Sequence, residues 1–361
     1  MTCRLITGFE DLPSSGLNER IMSASGYYWF SNGDLMPSIE TGRFGYGQCL
    51  HFFGTGFTVP SLSMVRILGV APSQGYMGFA YKWEPTSIGY PYVAFFDAVN
   101  GAPCFSVSFH ALGVIRVWRG YPFTGTLLIT SNPGSFTQSQ WFYCEVGGTV
   151  DSTAGAVEVR INTQPVIQLV SSNTNGTGRG AFDSISIGGQ PISGPGSNYE
   201  FRIDDLYFND TSGSVNNGFL GNVRVKSQFT ASAGDSTQFS IGGTAPAPTN
   251  WQSVLNTLLD DSKFVYDLNV GDKDLYHVQA IINSPLVHAI QVSGGYSMDD
   301  STQRIARNII KSGTTLSEGS DHYVNQNPTM YRDIWEINPD TGVSFTGAEA
   351  NSLQIGPKVE G

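Results

Sequence analysis

Two cysteine–histidine pairs are the first candidates for nucleophilic chemistry in this sequence. Cys104 and His110 share one face of a predicted strand, but six residues at about 3.3 Å each place them roughly 20 Å apart, too far for a hydrogen bond. Cys49 and His51 are closer and could touch or share a metal ion, yet no third ligand is visible near them. A buried pair on a sheet is the alternative. We therefore predict no cysteine nucleophile.

Acidic residues are the next candidates. Asp204 and Asp205 are neighbours, so on a regular strand their carboxylates point to opposite faces, although a bulge could bring them together. With Asp210 they could form a calcium site, since Ca²⁺ prefers hard oxygen ligands. Ordinary edge solubility and turn chemistry are the alternative. No other cofactor is expected.

Aromatic side chains in loops point to sugar binding, because flat apolar rings match the faces of pyranose sugars. One loop rich in glycine and proline carries Trp83, Tyr90 and Tyr92, and a second carries Tyr121. These four residues form the predicted carbohydrate site. The alternative is that they cover the ends of the fold or pack against a neighbouring subunit.

Strands must position all of these residues. Runs of aromatic and β-branched residues recur through the first 210 residues and are separated by glycine, proline, serine and asparagine. Runs at this spacing predict a sandwich of two antiparallel sheets. The twelve predicted strands are Gln48–Phe53, Met64–Val70, Met77–Trp83, Tyr92–Ala98, Cys104–His110, Val114–Gly120, Thr126–Thr130, Trp141–Val146, Ala156–Asn162, Val166–Val170, Ser184–Gly188 and Glu200–Phe208.

Alternation within these runs predicts which side chains are buried. In Ala156–Asn162 every second residue is aliphatic, as a strand with one solvated face requires. In Trp141–Val146 the same pattern turns Trp141 and Tyr143 outward, and two outward aromatic rings predict an interface with another protein. The alternation changes phase within Glu200–Phe208, which predicts a bulge near Asp204 and Asp205.

Three segments carry a resemblance to a known fold. They are TGFE at 7–10, the stretch 140–162 that contains QWFYCEV and GAVEVRIN, and FRIDDLYF at 201–208. Together they resemble the concanavalin A-like, laminin-G-like sandwich. The resemblance covers about the first 210 residues and implies a jelly roll, a fold that includes glycoside hydrolases. The E-x-D-x-x-E strand of such hydrolases is absent from this sequence.

The rest of the chain is predicted to form a second domain. Alternation stops after Phe208, which places a linker at 212–222 between a domain at 1–211 and another at 223–361. The second domain is predicted to be a smaller antiparallel β-sandwich. Its predicted strands and helical segments are Val223–Phe229, a helix over Thr249–Leu258, Leu275–Ile282, Val287–Val292, Arg304–Lys311, Met330–Asn338, a capping box at Thr346–Glu349 and Leu353–Val359.

The string from Ile203 to Val225 is similar to a recurrent segment of tailed-bacteriophage virion proteins. In those proteins a laminin-G-like domain passes into a second β domain. The resemblance implies a structural or adhesive virion component of the capsid surface, tail or baseplate, assembled in the host cytoplasm. Its expected partners are other virion proteins, further copies of itself in a trimer or ring, and a glycan of the host surface.

Composition excludes several other functions. A net charge of -11 with only 14% charged residues leaves no basic surface for nucleic acid or anionic membranes. The usual nucleotide-binding, hydrolase and metalloprotease motifs are absent. The sequence therefore predicts an oligomeric virion protein without enzymatic activity. A carbohydrate-binding lectin or a glycan hydrolase is the alternative.

Overall fold

A computed structural model describes residues 2–10, 12, 27–30, 37–55, 62–84, 90–190, 198–255 and 262–361. Residues 2–225 and 226–361 form two compact units, each built on antiparallel sheets. The predicted all-β class is therefore confirmed. Within the described ranges, no helix is long and apolar enough to cross a membrane.

Strands make up most of the first unit. Each of the twelve predicted strands overlaps an observed one, whereas the first three strands were not predicted. A 3₁₀ turn at Ala111–Gly113 links two consecutive strands. The strands are β1 Cys3–Thr7, β2 Tyr27–Phe30, β3 Ser38–Thr41, β4 Gln48–Thr55, β5 Leu62–Ile67, β6 Gln74–Trp83, β7 Tyr90–Asp97, β8 Ala102–His110, β9 Val114–Arg119, β10 Thr126–Thr130, β11 Phe142–Thr149, β12 Gly155–Ile161, β13 Gln164–Ser172, β14 Ser184–Gln190 and β15 Asn198–Asp210.

These strands form two sheets around one core. The first sheet has the order β13-β12-β11-β6-β15-β4-β3, with β1 added beside β15, and the second has the order β10-β9-β8-β7-β14-β5-β2. The core between them is rich in aromatic rings. For example, Phe95 stacks on Phe105 with ring centroids 4.5 Å apart, and Tyr81 stacks on Phe109 at 4.7 Å. This is the two-sheet sandwich that the strand spacing predicts.

Strand β15 contains the predicted bulge. Its pairing with β6 shifts between Asp204 and Tyr207, and Asp205 has a φ of 51°, in the left-handed region. The extra residue allows Phe201 and Leu206 to face the same core, and both are fully buried. Before the bulge β15 pairs with β4, and after it with β1.

The segment expected to be a linker packs on the outer face of the first sheet. Leu220 and Val223 pack against Tyr143 and Tyr207 in a small apolar cluster. The Val225 amide donates to Asp205 Oδ1 over 2.8 Å. The predicted strand Val223–Phe229 does not form, and the next strand begins at Thr230.

The second unit contains ten strands and two short helices among its described residues. They are β16 Thr230–Thr237, β17 Ser240–Gly242, α1 Asn250–Ser253, β18 Phe264–Tyr266, β19 Asp274–Val278, β20 Ile290–Tyr296, β21 Arg304–Ser312, β22 Thr315–Glu318, β23 His322–Val324, β24 Thr329–Trp335, α2 Gly347–Ser352 and β25 Gln354–Val359. The main sheet has the order β16-β19-β25-β21-β22, with β23 added beside β21. Two further strand pairs are β17-β18 and β20-β24, and the core includes Ile310 and Phe345.

The two helical predictions in this unit have different outcomes. The capping box is confirmed, because Thr346 Oγ1 accepts from the Glu349 amide and the Glu349 carboxylate accepts from the Thr346 amide, at 3.2 and 2.7 Å. The helix expected over Thr249–Leu258 is shorter than expected. It ends at Ser253, since Val254 leaves the helical region at a ψ of 10°, and residues 256–258 lie outside the described ranges.

We predict that limited proteolysis of the whole chain spares 216–225 and yields a stable fragment that ends at or beyond Val225. The packing of Leu220 and Val223 protects this segment. Leu220→Ala with Val223→Ala should accelerate cleavage there and lower the free energy of unfolding of the first unit by about 1–4 kcal/mol. Mass spectrometry and urea denaturation give the two readouts.

Val170→Ala is the matched control, because Val170 is 73% exposed on the same sheet and its loss should change neither result. A first cut between 212 and 222 in the unmodified protein would contradict the packing described here.

Candidate functional site

The four residues expected to bind sugar do not form one exposed platform. Trp83 and Tyr92 are each 1% exposed, because both side chains pack into the protein. Tyr90 is half-buried and stacks on Phe123 at a centroid distance of 5.2 Å. The half-buried Tyr121 donates from its hydroxyl to a backbone carbonyl at 3.3 Å. Two of the four rings are therefore closed to solvent.

The expected outward placement of Trp141 and Tyr143 is corrected in part. Tyr143 does lie on the outer face of the first sheet, but residues of the 220–223 segment cover it and leave it 1% exposed. Its hydroxyl donates to the Asp205 carbonyl at 3.1 Å. Trp141 is only half-buried. The interface predicted at these two residues consequently has one accessible ring.

Asp204, Asp205 and Asp210 are held by protein groups. Arg43 donates from its backbone amide to Asp204 Oδ2 at 2.9 Å and from its guanidinium to Asp205 Oδ2 at 3.2 Å. Asp210 instead pairs with Arg4 at 2.6 Å. The three carboxylates do not converge. In the part of the chain that the structure describes, no group of three or more His, Cys, Asp or Glu side chains is placed to hold a metal ion.

Cys49, Cys104 and His110 are buried, and each has a hydrogen-bond partner outside its cysteine–histidine pair. Cys49 donates to the Thr41 carbonyl, and its burial, followed by the nearby Asp204, raises the pKa of its thiol to about 12. His110 bonds Ser108 Oγ at 2.8 Å, and burial lowers the pKa of its imidazole to about 3. Burial likewise raises the pKa of the Cys104 thiol to about 11, so neither cysteine is ready to act as a nucleophile. His51, however, belongs to a different group of residues.

A polar cleft lies on the outer face of the first sheet. Its volume is about 610 Å³, within the size range of small-molecule sites. Trp141 is the one large aromatic ring among the described residues that line it, and the sheet supplies the charged side chains. The cleft is lined by Ile39, Glu40, Thr41, Gly47, Gln48, Lys82, Trp141 and Arg202.

Strand register brings the charged residues of the cleft together. Arg202 on β15 pairs with His51 on β4 on one side and with Lys82 on β6 on the other. Opposed residues of paired strands project from the same face, so these three side chains form a row across the sheet. Glu40 on the neighbouring strand β3 pairs with Cys49, two residues from His51.

Arg202 is the centre of this row. Its Nε bonds Glu40 at 2.6 Å, while its two terminal nitrogens bond Glu200 at 2.9 Å and Glu84 at 3.2 Å. Lys82 Nζ lies 2.9 Å from the same Glu84 oxygen. Paired cations and carboxylates allow this polar cluster to remain half-buried.

His51 lies between two carboxyl groups. Its Nδ1 is 2.8 Å from Glu40 Oε1 and its Nε2 is 3.2 Å from Glu200 Oε1. Burial, followed by the charge of Arg202, lowers the pKa of the imidazole. A neutral imidazole has one nitrogen that can accept a proton, so His51 is placed to take a proton from a neighbouring group and to give it back. The arrangement can therefore support acid–base chemistry.

Sequence reasoning missed most of this cluster. Glu40, Lys82, Glu84, Glu200 and Arg202 come from separate segments, so no local motif contains them. One signal was available, because the side chains at 200, 202 and 204 alternate with the buried residues of β15 and are all charged. The alternation of β6 likewise turns Trp83 inward, with the core residues of that strand.

Several solved structures are similar to this chain in overall fold. No protein family matches the sequence, and no curated protein is similar to it at a significant level. A sialidase matches with a TM-score of 0.40 and 11% identity over 58% of this chain, but over only 19% of the sialidase. A GH131 beta-glucanase catalytic domain from Podospora anserina has a TM-score of 0.40 and 13% identity, covering 60% of this chain and 98% of that one.

A phage protein is among the similar structures. The CBM2 module of the evolved Dit protein of Lactobacillus casei BL23 phage J-1 has a TM-score of 0.39 and 10% identity, and the match covers 58% of this chain and 95% of the module. These similarities are too weak to assign the role of any residue in those proteins to a residue of this chain.

The prediction that the protein has no enzymatic activity is wrong. Enzymes, including the sialidase and the beta-glucanase, are among the similar structures. The expectation also depended on missing sequence motifs. The sheet assembles carboxyl groups and an imidazole from distant segments, which a motif search cannot detect.

The Asp204–Asp205 pair generates a pH-dependent prediction. Burial, followed by the charge of Asp204, raises the pKa of Asp205 to about 7. The folded protein therefore holds a proton that the unfolded chain releases near pH 4, so the free energy of unfolding should fall as the pH rises from about 4 to 7. Between pH 4 and 7 the free energy of unfolding should decrease by roughly 2–4 kcal/mol in the unmodified protein, and Asp205→Asn should abolish this decrease. Urea denaturation at a series of pH values measures both.

Glu158→Gln is the control, because Glu158 is a half-buried carboxylate on a different strand from Asp204 and Asp205. It forms an ion pair with Arg160 at 2.6 Å. An equal pH slope in the protein and in its Asp205→Asn variant would show that the pair does not share a buried proton.

Proposed function

We propose that this protein is a glycan-active component of a phage particle and that the polar cleft binds and cleaves a polysaccharide. The observation that carries the proposal is an open cleft whose lining includes Trp141, Glu40 and Arg202. Arg202 and Glu40 also contact His51, Glu84 and Glu200, which extend the charged cluster beyond the lining. Aromatic rings stack on sugar faces, and carboxylates accept hydrogen bonds from sugar hydroxyls.

Charge pairing within the cleft favours a neutral sugar. Arg202 is bonded to three carboxylates, and Lys82 is bonded to Glu84. An anionic sugar would have to compete with these carboxylates for the two cations. Sugar hydroxyls can instead donate to the remaining lone pairs of the carboxylates, which requires no ion pair to break.

Glu40 and Glu200 are the proposed acid and base. Glycoside hydrolysis needs one carboxylic acid to protonate the glycosidic oxygen and one carboxylate to activate water or attack the sugar carbon. Water then supplies a hydroxyl group to one product and a proton to the other. His51 touches both carboxyl groups, so it can return the proton after each cycle.

The similarity of residues 203–225 to phage virion proteins supports a place in a particle, where the glycan would belong to the host surface. A stripe of exposed apolar residues in the second unit, Phe264, Tyr266, Leu268 and Val270, is 42–68% exposed and offers a surface for other virion proteins or further copies of the chain.

We expect the purified protein to bind neutral polysaccharides such as laminarin, mannan or xyloglucan more tightly than alginate or polygalacturonate. Trp141→Ala should weaken binding by about tenfold because the stacking ring is lost. Glu40→Gln and Glu200→Gln should each reduce the release of reducing ends by 100-fold or more, on the order of the loss of an acid or base. Microcalorimetry and a reducing-end assay give the two measurements.

Glu158→Gln serves as the control for the carboxylate changes, because it removes a half-buried glutamate outside the cleft. Binding without turnover would remove cleavage from the proposal and keep glycan binding. Absence of binding across the panel would contradict both.

Self-association is tested separately. Light scattering of the whole chain should give the mass of a trimer or ring, and Leu268→Glu should shift it toward one copy, since a charge disrupts an apolar contact. A single-copy mass for the unmodified protein at high concentration would contradict self-association.

A further inference from the structure

The loop that joins β3 to β4 carries two exposed aromatic rings at the rim of the cleft. Thr41 and Gly47, at the two ends of this loop, line the cleft. Between them, Phe44 is 47% exposed and Tyr46 is 56% exposed. Neither ring belongs to a hydrophobic core cluster among the described residues. The two rings therefore lie on a loop whose two ends line the cleft.

Arginine side chains hold both rings in place. The Arg224 guanidinium lies 4.5 Å from the centroid of Phe44 and 4.3 Å from that of Tyr46, and it also donates to the Tyr46 hydroxyl. Arg43 packs over Phe44 at 4.7 Å and over Tyr143 at 5.3 Å. These cation–π contacts link the loop to the sheet and cover part of each ring.

Backbone hydrogen bonds fix the shape of the loop. The Gly42 amide donates to the Gly47 carbonyl at 3.2 Å, and the Gly45 amide donates to the Gly42 carbonyl at 3.1 Å. Gly45 and Gly47 have φ angles of 78° and 74°, which glycine adopts without steric cost. The loop is thus ordered before any ligand arrives, which reduces the entropy lost on binding.

We propose that Phe44 and Tyr46 form a second sugar subsite, occupied by a residue of the same neutral polysaccharide chain that lies in the cleft. This inference rests on the proposed function, since it needs a glycan in the cleft. The occupant is a sugar because the rings are rigid, half-exposed and continuous through Gly47 with the lining of the cleft. The subsite makes recognition depend on chain length.

The test compares short and long neutral oligosaccharides. Calorimetric titrations use laminaribiose, cellobiose and mannobiose with the corresponding hexaoses. Phe44→Ala with Tyr46→Ala should weaken binding of the best-bound hexaose by about tenfold and leave its disaccharide within twofold. Trp141→Ala should weaken both lengths. Leu127→Ala, which removes a side chain 45% exposed on the opposite sheet, is the matched control.

The outcomes separate the two proposals. Equal affinity of the unmodified protein and the loop variant for the hexaose would overturn the subsite and leave the cleft intact. Equal losses for both lengths would overturn it too, because the loop would then act on the whole cleft. If no sugar binds, the proposed function fails and the subsite fails with it. Phe44→Leu with Tyr46→Leu keeps the apolar volume without the rings and should reproduce the loss.

Discussion

The extra residue in β15 is the constraint on which the first unit depends. Without it, Phe201 and Leu206 could not face one core, because side chains alternate along a strand. The bulge also turns the Asp205 carboxylate toward Arg43 and the Val225 amide. One irregular position thereby anchors the covering segment. The regular half of the strand, at 200–203, then carries Arg202 of the cleft and the neighbouring Glu200.

The polar cleft is stable because its charges compensate one another. Arg202 alone would be costly to desolvate at 15% side-chain exposure, but three glutamates surround it. The same pairing lets His51 remain close to two carboxyl groups. Apolar packing on the same face centres on Tyr143 and Tyr207, where Leu220 covers the sheet, and Phe219 packs edge-on against Tyr76. The outer face is thus divided into a covered apolar part and an open polar part.

Periodicity predicted the sandwich well because burial of one sheet face enforces alternation. The inward set on β12 and the phase change in β15 are both visible in the sequence. The strand expected at Val223–Phe229 failed because side chains of the same composition can also pack as an irregular covering segment. The composition of the loop between Trp83 and Tyr92 favours exposed rings, but the strands that carry the two residues turn both side chains inward. The cleft could not be predicted, since its residues meet only through strand register.

Strand order also determines when the sandwich can close during synthesis. Among the described strands of its sheet, β15 comes last in the sequence, yet it lies between β6 and β4. It also pairs with β1, so Cys3 cannot pair with Asn209 until more than 200 further residues have been synthesised. Until the ribosome has delivered β15, the facing edges of β4 and β6 lack the partner between them. Such edges pair readily with other chains. Nascent chains are therefore most vulnerable to misassembly until residue 210 emerges, and closure then requires one long-range step.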